Sequence, residues 1–302
     1  MKYEHIVAEV FRRPWAILPE KLKAIVGFIA FAAAGGRLSK EQVEAIQAGP
    51  RPRANTPGTV ALIPVFGVIA HRMSAFSEIS GPGGTSIQKL TETFRKAMED
   101  PGVKAIVFEI DSPGGTVDGV PELAQEIYDG RSKKKIVAHV NTMAASAAYW
   151  LAASADEIVV TPSGEVGSIG VFAAHEDFSK ALEQEGIKVS LVSAGKYKTE
   201  NNPYEPLSEE GRASIQAAVD AFYGMFIKAV AKGRGSTPAV VREGFGQGRM
   251  VLAQDAITAG MADKIATLDE TLARFGVGTA SSAKPMSSKS MDMLSRELAL
   301  YE

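Results

Sequence analysis

Between residues 103 and 161, three short, continuously apolar runs alternate with segments of helical periodicity: VKAIVFEID (103–111), KIVAHVN (135–141) and DEIVVT (156–161). A strand that is apolar along its whole length must be buried on both faces, and a helix between two such strands lets them run parallel. The chain is therefore expected to form an α/β domain around a largely parallel sheet. Upstream, TVALIPVFGVIAH (59–71) reads as a further strand. Thr85 and Gln88 have capping-box spacing and begin a helix whose inner face is Ile87, Leu90, Phe94 and Met98, stopping at Pro101 and Gly102. Helices near 119–129, from about Ala145, and near 176–186 are expected, with a strand at 188–193. A longer helix, about 208–232, carries Ile215, Val219, Phe222, Phe226 and Val230 at helical spacing, a face that suits either the core or an oligomer seam.

At 302 residues and 45% hydrophobic content, the chain can build one large domain with an appended arm. Residues 48–58 are rich in proline and polar side chains, dividing a helical arm and linker (1–58) from the main domain (59–274). The Ser-, Lys- and Met-rich stretch 275–302 reads as a flexible tail. The 33 Lys and Arg against 35 Asp and Glu leave no field to gather nucleic acid, and the Lys133, Lys134, Lys135 run reads as a solvated loop. The absence of cysteine excludes disulfides, thiol catalysis and thiolate metal sites. His5, His71, His139 and His175 are scattered without metal-ligand spacing, so neither a metal nor another cofactor is expected. The apolar run Ala24 to Gly35 falls short of the roughly 20 residues a bilayer demands and follows Glu4, Glu9 and Glu20, unlike a secretory leader. It reads as a buried helix begun by Pro19 and ended by Gly35 and Gly36, with no stable membrane anchor.

Three segments place small residues where a backbone must come close to something. DSPGGT (111–116) follows a strand, the position of binding crevices in α/β sheets; it is either a tight turn or a source of oxyanion-binding amides at Gly114 or Gly115. MAASAAYW (143–150) sets Ser146 at a helix start, as a cap or as a nucleophile near free amides, with the Ala147 amide as second donor. SAGKYKT (193–199) carries Lys196 and Lys198, which are ordinary solvated lysines unless burial lowers one toward neutral pH, as a general base requires.

Taken together, IDSPGG (110–115), AASAAYW (144–150), GEVGSIGV (164–171), GKYKTENNPYEPLSEEGR (195–212) and GQGRMVLAQDAITAGMADKI (246–265) resemble the motif blocks of peptidase family S49, the family of signal peptide peptidase A and phage head proteases. The resemblance covers roughly 59–268. It implies the Clp protease and crotonase fold of repeated ββα units and a serine endopeptidase with Ser146 as nucleophile and Lys198, 52 residues on, as base. It also implies oxyanion donors at Gly114 or Gly115 and at Ala147, and a supporting hydroxyl at Ser168. One departure is Ser-Ala-Ala at 146–148, where many relatives have Ser-Gly-Gly. Family members assemble into rings. The spacing here matches versions whose dyad lies within one chain, so a homo-oligomer with complete sites is expected.

The stretch HIVAEVFRRPWAILPEKLKAIV (5–26) resembles the arm of phage head maturation proteases. It implies an enzyme of the host cytoplasm, acting inside an assembling prohead on scaffold, portal or capsid proteins. Four alternatives remain: a signal-peptide-peptidase-like protease without an anchor, a Ser-His-Asp enzyme using His175, acyl-CoA chemistry on the same fold, and an inactive assembly scaffold.

Overall fold

Parallel pairing organises the main sheet of the computed structural model, which describes residues 14–33, 59–72 and 84–277. Strands β2 (Val60–Phe66), β5 (Ala105–Ser112) and β7 (Lys135–Ala145) lie side by side and parallel, in register from Val60 opposite Ala105 and Ala105 opposite Lys135. β7 then divides its edge. Val137–Val140 pair with β8 (Glu157–Val160), while Met143–Ala145 pair with β9 (Glu165–Gly167), both parallel. The short strands β10 (Met250–Leu252, antiparallel on β9) and β11 (Lys264–Ile265, parallel on β8) complete this α/β layer.

The apolar runs behave as strands buried on both faces should. In β5, seven of the eight residues are buried and Asp111 alone is partly exposed. One face of the sheet meets α2 (Ile87–Glu99), α3 (Val120–Gly130), α4 (Ala147–Ala152) and α6 (Glu209–Gly233) in a single large cluster that includes Phe94, Phe108, Leu123, Ile127, Trp150 and Phe226. The other face packs against α9 (Leu268–Ala273), through Leu268 and Leu272 against Val107, Val137 and Val159. Phe275 and Val277, in the segment read as tail, also pack there. His139, on β7, is wholly buried and bonded to the Thr271 hydroxyl at 3.1 Å.

A second, four-stranded sheet sits over the end of the first. Its order is β1 (Trp15–Ile17), β6 (Gly114–Thr116), β3 (Ile69–Ala70) and β4 (Thr85–Ser86), with β1 antiparallel to β6 and the others parallel. Helix α1 (Pro19–Ala33) follows β1 directly, begins at Pro19 as expected, and buries Leu22 and Ile25. Residues 14–33, read from sequence as arm, are thus paired and packed with the main domain. The expected stop at Gly35 and Gly36 lies outside the described residues.

Three local expectations need correction. The cap of α2 is Ser86, whose Oγ accepts from Lys89 N, whereas Thr85 Oγ1 exchanges hydrogen bonds with the Phe66 backbone. Thr85 Oγ1 is engaged by Phe66 on both counts, so the cap falls to the next hydroxyl. The helix expected near 176–186 is limited to α5 (Ser179–Gln184), which buries none of its residues. The strand expected at 188–193 pairs with no described strand. Ile187, Val189, Leu191 and Val192 are all exposed, Val192 almost completely. Alternation there supplies strand propensity, but a strand also needs an edge to pair with.

Candidate active site

Strand β7 delivers Ser146 to the junction with α4, and the backbone there turns sharply, with φ 55° and ψ −115° at the serine itself. A positive φ is uncommon for a residue with a Cβ. The conformation is held from several sides. Ser146 N donates to Gly167 O (2.7 Å), Ser146 Oγ donates to Gly170 O (3.3 Å), and Trp150 N closes the first helical turn onto Ser146 O (2.9 Å). Behind it, every residue of α4 is buried. Trp150 stacks on Phe226 of α6 at 4.5 Å between centroids, and Tyr149 Oη donates to Met261 O at 2.9 Å. Burial pushes the Tyr149 phenol well above its usual range, so it stays a neutral donor. Ser146 is 1% exposed. Ala147 is the first residue of α4, so its amide has no acceptor within the helix and is available to a charge developing beside the serine.

The SPGG turn lies against this junction. Gly114, at φ 92°, comes so close that a Cβ there would lie 3.1 Å from Ser146 Cβ, 2.9 Å from Ala145 O, and in collision with Ala16 O. Only glycine fits. The turn is pinned by Ser112, a fully buried side chain that donates to Gly67 O (2.6 Å) and accepts from Gly114 N (3.1 Å). The Gly114 amide is therefore engaged by Ser112, and Gly115 lies opposite Ala16 of β1 in the antiparallel register. Neighbouring Asp111 bonds Thr142 Oγ1 at 3.3 Å, and partial burial raises its carboxyl above the usual range.

The remaining predicted residues are distributed differently. Ser168 is buried, has φ 51°, and donates its amide to Arg249 O at 2.8 Å, one residue beyond the carbonyl that holds the Ser146 amide. Lys198 lies in the exposed turn 194–200, its amide bonded to Gly195 O (3.1 Å). Among the described residues its amine has no hydrogen-bond or ion-pair partner, Ser146 and Ser168 included. Lys196 instead bonds Tyr197 Oη (2.7 Å) and Glu210 (3.2 Å) at the surface. His175 Nε2 is paired with Asn202 O at 3.2 Å and makes no hydrogen bond to Ser146. The structure thus brings together Ser146, Ala147, Gly114, Gly115 and Ser168, while Lys198 is exposed and makes no hydrogen bond to them.

An open pocket lined by Ile169, Gly170, Val171, Val219, Tyr223 and Arg242 adjoins the carbonyl that receives the Ser146 hydroxyl. Among the described residues, no cluster of three His, Cys, Asp or Glu side chains could hold a metal ion, and no helix is long and apolar enough to cross a membrane. Sequence reasoning missed Ser112, whose role was hidden because it reads as an ordinary turn serine. It also missed strand β1, where three apolar residues before a proline carry no periodicity to detect.

A model of peptidase family S49 matches residues 129–280. The chain is 30% identical over 278 residues to the capsid assembly protease C of Escherichia phage lambda, covering 86% of this chain and 62% of that protein. It is 31% identical over 293 residues to the head-tail preconnector protein GP5 of Enterobacteria phage P21, covering 89% of this chain and 56% of that one. The chain therefore spans about three-fifths of the length of these relatives. A solved structure of the 1510-N membrane-bound stomatin-specific protease is similar at 17% identity and a TM-score of 0.46, covering 72% of this chain and 79% of that one.

Proposed function

Since the chain belongs to peptidase family S49, a family of serine peptidases, we propose that it is an endopeptidase in which Ser146 is the nucleophile. The observation that carries the reading is the geometry of Ser146: a buried serine in a strained strand-to-helix turn, with a free helix-start amide on one side and a glycine turn in contact on the other. A merely structural cap would bond its own helix, and Ser146 makes no such side-chain bond.

In the proposed reaction, neutral Lys198 takes the proton from Ser146 Oγ as the oxygen attacks a peptide carbonyl. The oxyanion is held by the amides of Ala147 and of the SPGG turn, Gly114 or Gly115. The lysine then protonates the leaving amine, and water, deprotonated by the same lysine, releases the acyl group. A lysine serves as base only when desolvated, and Lys198 is exposed here. The segment 187–199 must therefore fold onto the site before reaction, with Ser168 as the hydroxyl that receives the amine.

The two phage relatives support a finer reading, in which the chain processes scaffold, portal or capsid proteins during head assembly, as a homo-oligomer. The test is cleavage of a mixed peptide library by wild type, Ser146→Ala, Lys198→Ala and His175→Ala, with folding of each verified by circular dichroism. The expected outcome is loss of cleavage by at least a thousandfold in the first two and retention in His175→Ala. Activity surviving in Lys198→Ala and lost in His175→Ala would replace the base. For the finer reading, co-expression with the phage head proteins should yield Ser146-dependent shortening of at least one of them.

A further inference from the structure

Beside Ser146, the free edge of the SPGG strand is already taken, and by this chain itself. Residues 15–18 run extended between two backbone edges. On one side Trp15 exchanges both hydrogen bonds with Phe172 (N to O 2.7 Å, O from N 3.0 Å). On the other, Trp15, Ala16 and Ile17 lie antiparallel to Thr116, Gly115 and Gly114, and Leu18 N donates to Pro113 O at 3.0 Å. Successive residues of a strand turn their backbone groups to opposite sides. With Trp15 bonded toward Phe172, and Leu18 toward Pro113, Ala16 faces β6 opposite Gly115. The Ala16 carbonyl is thus directed at the residue assigned to the oxyanion site, and its oxygen would be struck by the same Cβ at Gly114 that would press on Ser146.

This is the way a protein receives an extended peptide: as an added strand, with backbone bonds for affinity and alternate side chains for selectivity. Resting on the reading of Ser146 as nucleophile, we propose that the groove between β6 and Gly170–Phe172 binds the substrate polypeptide as a strand, and that residues 14–18 hold it as a tethered occupant which substrate must displace. The occupant also describes the class of polypeptide that fits. It has a small residue at the place of Ala16, which is fully buried, flanked by large apolar residues at the places of Trp15 and Ile17. Trp15 and Ala16 are fully buried and Ile17 nearly so. The tether is short, since α1 begins at Pro19, so the occupant is always at high local concentration and sets a threshold that only a well-fitting or abundant substrate exceeds.

The chain has no cysteine, so the pair Trp15→Cys and Thr116→Cys can form only the disulfide that clamps β1 onto β6. These positions face each other without mutual hydrogen bonds, where Cα atoms lie about 4.5 Å apart, within disulfide reach. In a Ser146→Ala background, binding of fluorescein-labelled β-casein, an unfolded polypeptide, is followed by anisotropy. The expected result is at least tenfold weaker binding in the oxidised protein than in the same protein reduced. A second variant, Ile17→Asp, places a charge in the buried strand and should bind at least tenfold tighter than Ser146→Ala alone. Equal affinity in the oxidised and reduced forms, together with unchanged affinity in a folded Ile17→Asp protein, overturns the proposal. Cleavage by Ile17→Asp with Ser146 intact separates the two readings. Tighter binding without any cleavage removes the peptidase assignment and leaves the groove, while cleavage with unaltered KM leaves the peptidase and removes the occupant.

Discussion

The φ of 55° and ψ of −115° at Ser146 are tolerated because the surrounding bonds over-determine them: the Gly167 and Gly170 carbonyls on one side, the Trp150 amide on the other. Such conformations cost about 1 to 3 kcal/mol and are native to glycine. Ser146→Gly should therefore abolish cleavage while raising stability by about 1 kcal/mol in urea unfolding, whereas Ser146→Ala abolishes cleavage without that gain. A Ser146→Gly protein less stable than Ser146→Ala would mean that the backbone is unstrained. At this scale the sequence was informative wherever chemistry demanded a residue type: the serine among alanines and the paired glycines are costly in a strand or helix, and so marked their own positions. Ser112 was illegible because serine is ordinary in turns. Its task depends on Gly67, 45 residues away.

Among the elements, α4 is a helix of only six residues, too short to persist on its own, and its position comes from what it is packed against. Trp150 against Phe226 and Tyr149 against Met261 O fasten it to α6 and to the loop after α8 (Ala253–Ala259). Trp150→Ala should cost about 3 to 5 kcal/mol, measured by thermal or urea unfolding, and should lower cleavage even at temperatures where the protein remains folded. A loss under 1 kcal/mol would show that the stack does not seat the helix. The strands β2, β5, β7 and β8 were readable from continuous apolar runs, and α2, α3 and α6 from periodicity, because burial imposes both patterns. The failures share one cause. β1 has the pairing but is too brief to show a pattern, while 188–193 has the pattern but no described strand to pair with. In both cases the deciding partner is distant in sequence.

Over the whole molecule, helix α9, the last among the described residues, is tied to the main sheet at Glu157, whose carboxylate receives Arg274 at 2.7 Å and lies 3.1 Å from the Lys264 amine and 3.8 Å from that of Lys135. Burial alone would push this carboxyl up, but the bonds from Arg274 and Lys264 outweigh it and hold it below its usual range. A carboxyl lowered on folding contributes stability above its unfolded value and loses it as pH falls through the folded one. Arg274→Ala should thus cost about 1 to 2 kcal/mol at pH 7, since the arginine is partly exposed and partly screened, and the deficit should shrink below about pH 4. A deficit independent of pH would assign the loss to packing of the arginine stem instead. The α/β class and the order of its elements could be read from the chain, but the division of the β7 edge between β8 and β9 could not, because nothing local to residues 135–145 records a change of neighbour.

That divided edge has a consequence in the language of amide exchange. β7 is paired with β5 over Lys135–Val140 and again at Ala144, and with β8 and then β9 on the other side, so the amides of its buried run Ile136–Val140 exchange only when the domain opens as a unit. The turn carrying Lys198 is exposed and closed by two local backbone bonds, Lys198 N to Gly195 O and Glu200 N to Tyr197 O, so it opens at little cost. The proposed nucleophile and its proposed base therefore belong to opposite ends of the stability spectrum of one molecule. Mild denaturant should abolish the proposed cleavage by loosening the lysine turn long before the serine moves.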